Sequence, residues 1–302
     1  MVIPYMGSKR KLAPKIIDKI LNDNPNCKYI YDLFGGGAAI SLEAMQRPEI
    51  EQVYYNELDS GVSNLLKEII NNGVNNEMFE VIDRETFNKM KTGNCWKSGL
   101  IKTCWSFGNR GTSYLYGKII EEDKLNFHRI IINACEKSRI EFNNKYNKEL
   151  ITNNDILFIE NETRSDRRLR ITKLLRGIKG FERGAQHLQS LQRLQHLEKL
   201  EKLGKIKTNN KLNISNLSYE NVNIITPISE TVIYLDPPYQ GTGTYQNKID
   251  YDKFHKWVKN NPYKIYLSEY NAPFKEVLSF EHRATMSQTT NNKVIEKLYC
   301  NK

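Results

Sequence analysis

The residues best suited to do chemistry are Asp236, Pro237, Pro238 and Tyr239, consecutive in the chain. They offer an acceptor carboxylate, proline carbonyls that nothing local is placed to satisfy, and a flat aromatic ring. That set suits a planar substrate with an exocyclic amino group: carboxylate and carbonyl accept its protons, and the ring stacks on its face. A plain strand-ending turn would read the same way in isolation. What must position the tetrapeptide is the run before it, Thr231-Val232-Ile233-Tyr234-Leu235, apolar and β-branched as a buried strand is. Two prolines stop that strand, because neither donates a ladder hydrogen bond and each fixes its own φ. The carboxylate and ring are thereby held at the strand's carboxyl end, where open α/β sheets bind ligands.

A second constellation lies near the start. Tyr29-Ile30-Tyr31-Asp32-Leu33-Phe34 reads as a strand, Gly35-Gly36-Gly37 as a turn, and a helix follows from Ala38. This is the nucleotide-binding strand–glycine–helix order, in which a ligand approaches bare backbone and the helix N-terminus faces it. It is not GxGxxG, and no GxxxxGK[ST] occurs, which weakens dinucleotide and triphosphate readings. The next strand, residues 52–56, ends in Glu57. An acid at that distance beyond the glycine turn can take both ribose hydroxyls, so an adenosine-containing cofactor is expected. Asp59 competes for the role, and either acid could instead cap the following helix. Ahead of all this, Tyr5-Met6-Gly7-Ser8-Lys9 precedes a helical pattern and forms either an anion cradle or an exposed basic start.

Between about residues 71 and 205 the α/β rhythm is lost. Residues 104–118, with Trp105, Asn109, Arg110 and Tyr114, interleave aromatics, glycines and cations, as a loop laid along nucleic acid would; some of those aromatics must be core. Residues 163–183 carry a dense basic run that includes Arg167, Arg168 and Arg170, either a phosphate track or a solvated helix face. Leucines then recur every third residue from Leu188 to Leu203. That spacing drifts ~60° per step around a helix, so it is neither a heptad seam nor a clean stripe. A helix packed on several sides and a tighter repeat both fit. After Tyr239, residues 240–248 have the glycines and threonines of a mobile lid. A helix is expected from Tyr251, a strand from Lys264, and terminal hairpin strands over residues 283–298.

The chain has 302 residues and a formal charge of +10, enough length for a core and a charge that favours a polyanionic partner. Five cysteines without CxxC spacing speak against a disulfide framework or structural zinc and fit a reducing cytosol. No apolar run approaches ~18 residues, so neither membrane nor export is indicated.

With glycine turn, ribose acid and Asp-Pro-Pro-Tyr in this order, the chain resembles the Dam-type DNA adenine-N6 methyltransferases, and the match looks close to versions carried by bacteriophages. The likeness covers roughly residues 1–70 and 210–300. It implies a Rossmann-like α/β sheet of seven strands that binds S-adenosyl-L-methionine (AdoMet), formed by residues 1–70 and 206–302, with a mainly helical target-recognition region, 71–205, inserted. By resemblance Tyr5 and Lys9 fall on the N-terminal cofactor motif, and Asp32, Phe34 and Gly36 on the AdoMet glycine motif. Glu57 falls on the ribose acid, Tyr219 beside the cofactor adenine, and Asp236, Pro237, Pro238 and Tyr239 on the catalytic motif, where Asp236 also borders the cofactor. Ala38 stands where the family has its last glycine and Ser218 where it usually has an acid; alanine is small enough for cofactor binding to survive. The partner implied is double-stranded DNA, bound by a cytoplasmic protein expected to be monomeric, with no metal. A catalytically silent DNA-binding protein and a methyltransferase acting on RNA or protein are the rival readings.

Overall fold

In a computed structural model the described residues are 2–178, 192–205, 210–239, 249–283 and 293–302. The chain divides into two compact units, Met1–Lys67 with Lys207–Lys302, and Glu68–Ile206.

The first unit is built on a seven-stranded sheet: β1 (Tyr29–Asp32), β2 (Gln52–Asn56), β3 (Leu212–Ser215), β4 (Thr231–Leu235), β5 (Lys264–Glu269), β6 (Lys275–Arg283) and β7 (Lys293–Cys300). Their spatial order is β3-β2-β1-β4-β5-β7-β6. β1 to β5 run parallel, and β7 pairs antiparallel with both β5 and β6. All five residues of β4 are buried, the signature of a central strand covered on both faces. Tyr31, Leu33, Ile233, Leu235, Phe254, Val258, Ile265, Leu267 and Tyr299 form one core around it. Strand order reverses between β1 and β4, because the chain leaves β1 toward β2 and leaves β4 toward β5. Their adjacent carboxyl ends form the crevice in which α/β sheets bind ligands. Registered pairs run from Tyr29 opposite Thr231 to Asp32 opposite Tyr234, which brings Asp32 and Asp236 to one end.

The terminal hairpin begins earlier than the sequence pattern suggests, at Lys275 rather than near residue 283. β6 is an edge strand with a bulge between Glu276 and Leu278, so only part of it is apolar and its pattern is weak in sequence.

The second unit is helical: Arg84–Met90, Trp96–Cys104, Lys118–Asn133, Glu136–Lys145, Asn153–Ile156, Arg164–Arg176 and Gln192–Leu203. Among the described residues its β-structure is a single bridge, Ser106 to Tyr114. Thr163 opens the arginine helix with a capping box, its side chain and that of Asp166 each taking the other's backbone N–H, which explains why so charged a segment starts cleanly. The leucine repeat resolves as helix, with Leu197, Leu200 and Leu203 all buried. Leu188 and Leu191 lie outside the described residues, as do the expected lid, 240–248, and the end of the basic run. Among the described residues no helix is long and apolar enough to cross a membrane, and no group of side chains could hold a metal ion.

Candidate functional site

The glycine turn after β1 is held from both sides. Gly35 N–H donates to the Asn56 carbonyl at 2.8 Å, and Ile3 N–H to the Gly37 carbonyl at 3.0 Å. A Cβ on Gly36 would meet the Tyr5 ring at 3.0 Å, and one on Gly37 the Ile3 carbonyl at 2.5 Å. Tyr5 thus roofs the turn. Gly36 has φ +47°, a conformation side chains rarely adopt, and Ala38, just before the helix Ala39–Ala44, has φ 63°. At position 38 the penalty for lacking glycine is therefore backbone conformation, not size.

Glu57, 8 % exposed at the end of β2, accepts from Gly36 N–H through Oε2 and from Asp59 N–H through Oε1, each at 2.8 Å. Asp59 faces elsewhere and caps the helix Ser60–Asn72, accepting from Gly61 and Val62. The two acids that competed in sequence are separated by geometry: one is bound to the glycine turn, the other to a helix end. Phe34 stacks on Tyr219 at 5.4 Å, and Tyr219 packs edge-on against Trp257 at 5.1 Å, giving an aromatic wall beside the turn.

Asp32 is the site's least satisfied group. Ser41 donates to its Oδ2 at 2.7 Å, while Oδ1 is buried with no hydrogen-bond partner among the described residues. Burial, together with the nearby Asp236 and Glu57 charges and against the Ser41 hydrogen bond, raises its pKa to about 7.

At the end of β4, Asp236 Oδ1 lies 2.8 Å from Lys9 Nζ. Lys9 is itself buried, and its ammonium also meets Glu296 Oε1 at 3.2 Å and the Gly7 carbonyl at 3.3 Å. The Tyr239 hydroxyl donates to Glu296 Oε1 at 2.7 Å, and its ring packs edge-on against Tyr270. Burial lifts the Asp236 pKa to about 6, with Glu296 adding to the rise and Lys9 opposing it. The two carboxylates hold the Lys9 ammonium above its usual range although burial pulls it down. One proline carbonyl is not free as the sequence suggested: Tyr251, at the start of the helix Tyr251–Asn260, donates its hydroxyl to Pro238. Among the described residues the Pro237 carbonyl receives no such bond.

Glu296 is the site residue that the sequence motifs do not single out. It shares the inward face of β7 with Leu298 and Cys300, and an acid in phase with apolar residues was the available signal.

In the helical unit two expectations are corrected. Trp105 is fully buried, stacked on Tyr114 and edge-on to Tyr116. Tyr114 is buried too, its hydroxyl on the Ile82 carbonyl at 2.6 Å. These rings are core, so neither is available to a base. The same loop does expose Phe107 and leaves Asn109 and Arg110 half-buried. At the three arginines singled out, the basic run is paired within the fold. Arg167 is buried and donates to the carbonyls of Leu157 at 2.8 Å, Ile130 at 3.3 Å and Ile156. Arg168 pairs with Glu198 at 3.3 Å, and Arg170 forks onto Glu162 at 2.6 and 3.1 Å. Their charge is consumed within the fold. Lys173 and Arg176 remain exposed on that helix, and Lys179 and Arg183 lie outside the described residues.

Comparison with known proteins adds one match. The sequence model of the family described as D12 class N6 adenine-specific DNA methyltransferase fits residues 5–95 and 177–301. No curated protein matches the chain.

Proposed function

Because the chain belongs to the D12 class N6 adenine-specific DNA methyltransferases, whose members methylate the N6 amino group of adenine in DNA, we propose that its own site works through the carboxyl ends of β1, β2 and β4, with AdoMet as methyl donor. The chemistry of that cofactor suits the residues present. AdoMet carries an ammonium, ribose hydroxyls and a sulfonium, and the crevice offers Asp32 with an orphaned oxygen, Glu57 and Asp236. Asp32, Gly36, Glu57, Tyr5, Phe34 and Tyr219 would hold it, Lys9 contributing through Asp236. When bound it supplies an electrophilic methyl group.

The chain's part is to present the acceptor. An adenine extruded from the duplex stacks on Tyr239 while Asp236 and the Pro237 carbonyl accept its two amino protons. That fixes the nitrogen and raises its electron density, so that positioning and electrostatics carry most of the rate. The proton the nitrogen must shed passes to Asp236, which with a pKa of about 6 is ionised and receptive near neutrality. Base contact falls to the exposed part of the loop, Phe107, Asn109 and Arg110, rather than to Trp105 and Tyr114.

The observation that carries this reading is the Asp236 carboxylate at the switch point, 2.8 Å from the ammonium of a buried lysine. Asp236→Ala is expected to lower the methyl-transfer rate by about 10²–10⁴-fold while AdoMet affinity, read by calorimetry, falls far less. Equal loss of both would assign Asp236 to the cofactor instead.

A further inference from the structure

Glu296 plays no part in the chemistry above, yet it closes the same cluster from a strand 57 residues beyond Tyr239. It is 4 % exposed, and burying a carboxylate is costly unless it is paired. Its Oε1 holds two things at once: the Tyr239 hydroxyl at 2.7 Å and the Lys9 ammonium at 3.2 Å. Lys9 in turn holds Asp236 and stands 4.9 Å from the centre of the Tyr239 ring. The far edge of the stacking ring and the counter-ion of the accepting carboxylate therefore share one oxygen. Two acids share one lysine, so the cluster carries a net negative charge that favours a proton arriving at Asp236.

We propose that Glu296 is a positioning residue for methyl transfer, fixing the plane of Tyr239 and, through Lys9, the aim and basicity of Asp236. This rests on the reading of Asp236 as amino-proton acceptor and Tyr239 as stacking ring. Among the described residues the groups facing Asp236 are Lys9 from the N-terminal segment, Asp32 from β1, Tyr234 from β4, Tyr239, Tyr270 after β5 and Glu296 from β7. Lys9 is the cation among them, and Glu296 shares it.

The test compares wild type, Glu296→Gln, Glu296→Ala and Asp236→Asn in two readouts. One is transfer of labelled methyl from AdoMet to mixed-sequence duplex DNA. The other is titration of the Asp236 carboxyl by ¹³C NMR of aspartate-labelled protein without cofactor or DNA, its signal identified by its loss in Asp236→Asn. Glu296→Ala is expected to lower kcat by about 10²-fold, the cost of a small misplacement of reacting groups. Glu296→Gln keeps an acceptor for Tyr239 and recovers most of kcat, while its Asp236 midpoint moves to lower pH because a negative neighbour is gone. Glutamine preserves the shape of the side chain, so the test holds even where the alanine variant fails to fold. A Glu296→Gln protein with the wild-type midpoint and rate overturns the proposal. Wild-type turnover by Asp236→Asn would instead overturn the reading of the site on which it rests.

Discussion

Lys9 and Arg167 are both buried cations, and they set the two halves of the chain apart. Arg167 spreads its guanidinium over three carbonyls, those of Leu157, Ile130 and Ile156, with Glu162 3.8 Å away. Every acceptor there belongs to the protein, and the arginine serves as a rivet between segments of the helical unit. Lys9 instead meets two carboxylates, and a third, on Asp32, keeps a buried oxygen with no donor among the described residues. The lesson is that burial of charge does not mark function. Incomplete pairing alone does not mark it either, because Arg167 Nε is also buried without a partner among the described residues. What sets the first unit apart is an orphaned acceptor carboxylate at the carboxyl end of β1, where a ligand's donors can pair it.

The comparison breaks most visibly at the arginine. Arg167→Ala is expected to destabilise the protein by about 3–5 kcal/mol, as removal of one partner from a buried charged cluster does, measured by chemical denaturation. Duplex binding by Arg170→Gln should keep the wild-type dependence of log K on log salt; a slope reduced by about one would restore a phosphate role.

Asp32 should respond in the opposite direction. Its pKa rises from an ordinary carboxyl value to about 7 in the folded protein. Its protonated form therefore favours the folded state most below about pH 4, and that contribution is lost as pH climbs through about 7. Asp32→Asn removes the ionisation penalty. It should be more stable than wild type at pH 8, by on the order of a few kcal/mol, and nearly equal to it at pH 4, in melts without cofactor. A variant less stable at both pH values would show that the Ser41 hydrogen bond outweighs the orphaned oxygen.

Glu57→Ala should weaken AdoMet binding by ~1–3 kcal/mol, the cost of unpairing buried groups. Calorimetry checks it, and an unchanged affinity would move the ribose role away from this acid. The smallest effect is at Ala38. With φ 63°, Ala38→Gly should relieve left-handed strain of about 1 kcal/mol, offset in part by glycine's larger unfolded entropy, and raise the melting temperature slightly.

These contrasts also explain what could be read from the chain and what could not. The turn after β1, the acid ending β2 and the tetrapeptide after β4 are local features. An apolar run stopped by two prolines, or a strand meeting three glycines, states its geometry over a short stretch of chain. Glu296 reaches Tyr239 from 57 residues away, and no local pattern names its partner. The arginine run misled for a related reason. Composition shows the cations at 167, 168 and 170 but not the carbonyls and the glutamates at 162 and 198 that absorb them. Trp105 and Tyr114 look the same in sequence whether they stack on bases or on each other.

Everything proposed for Asp236 turns on whether its site places a methyl group on adenine N6. Duplex DNA incubated with methyl-labelled AdoMet and either wild-type protein or Asp236→Ala, then digested to nucleosides, tests it directly by mass spectrometry. The wild type is expected to leave label in N6-methyl-2′-deoxyadenosine and Asp236→Ala almost none, although that variant still binds AdoMet. Label on cytosine, or equal yields from the two proteins, would contradict it.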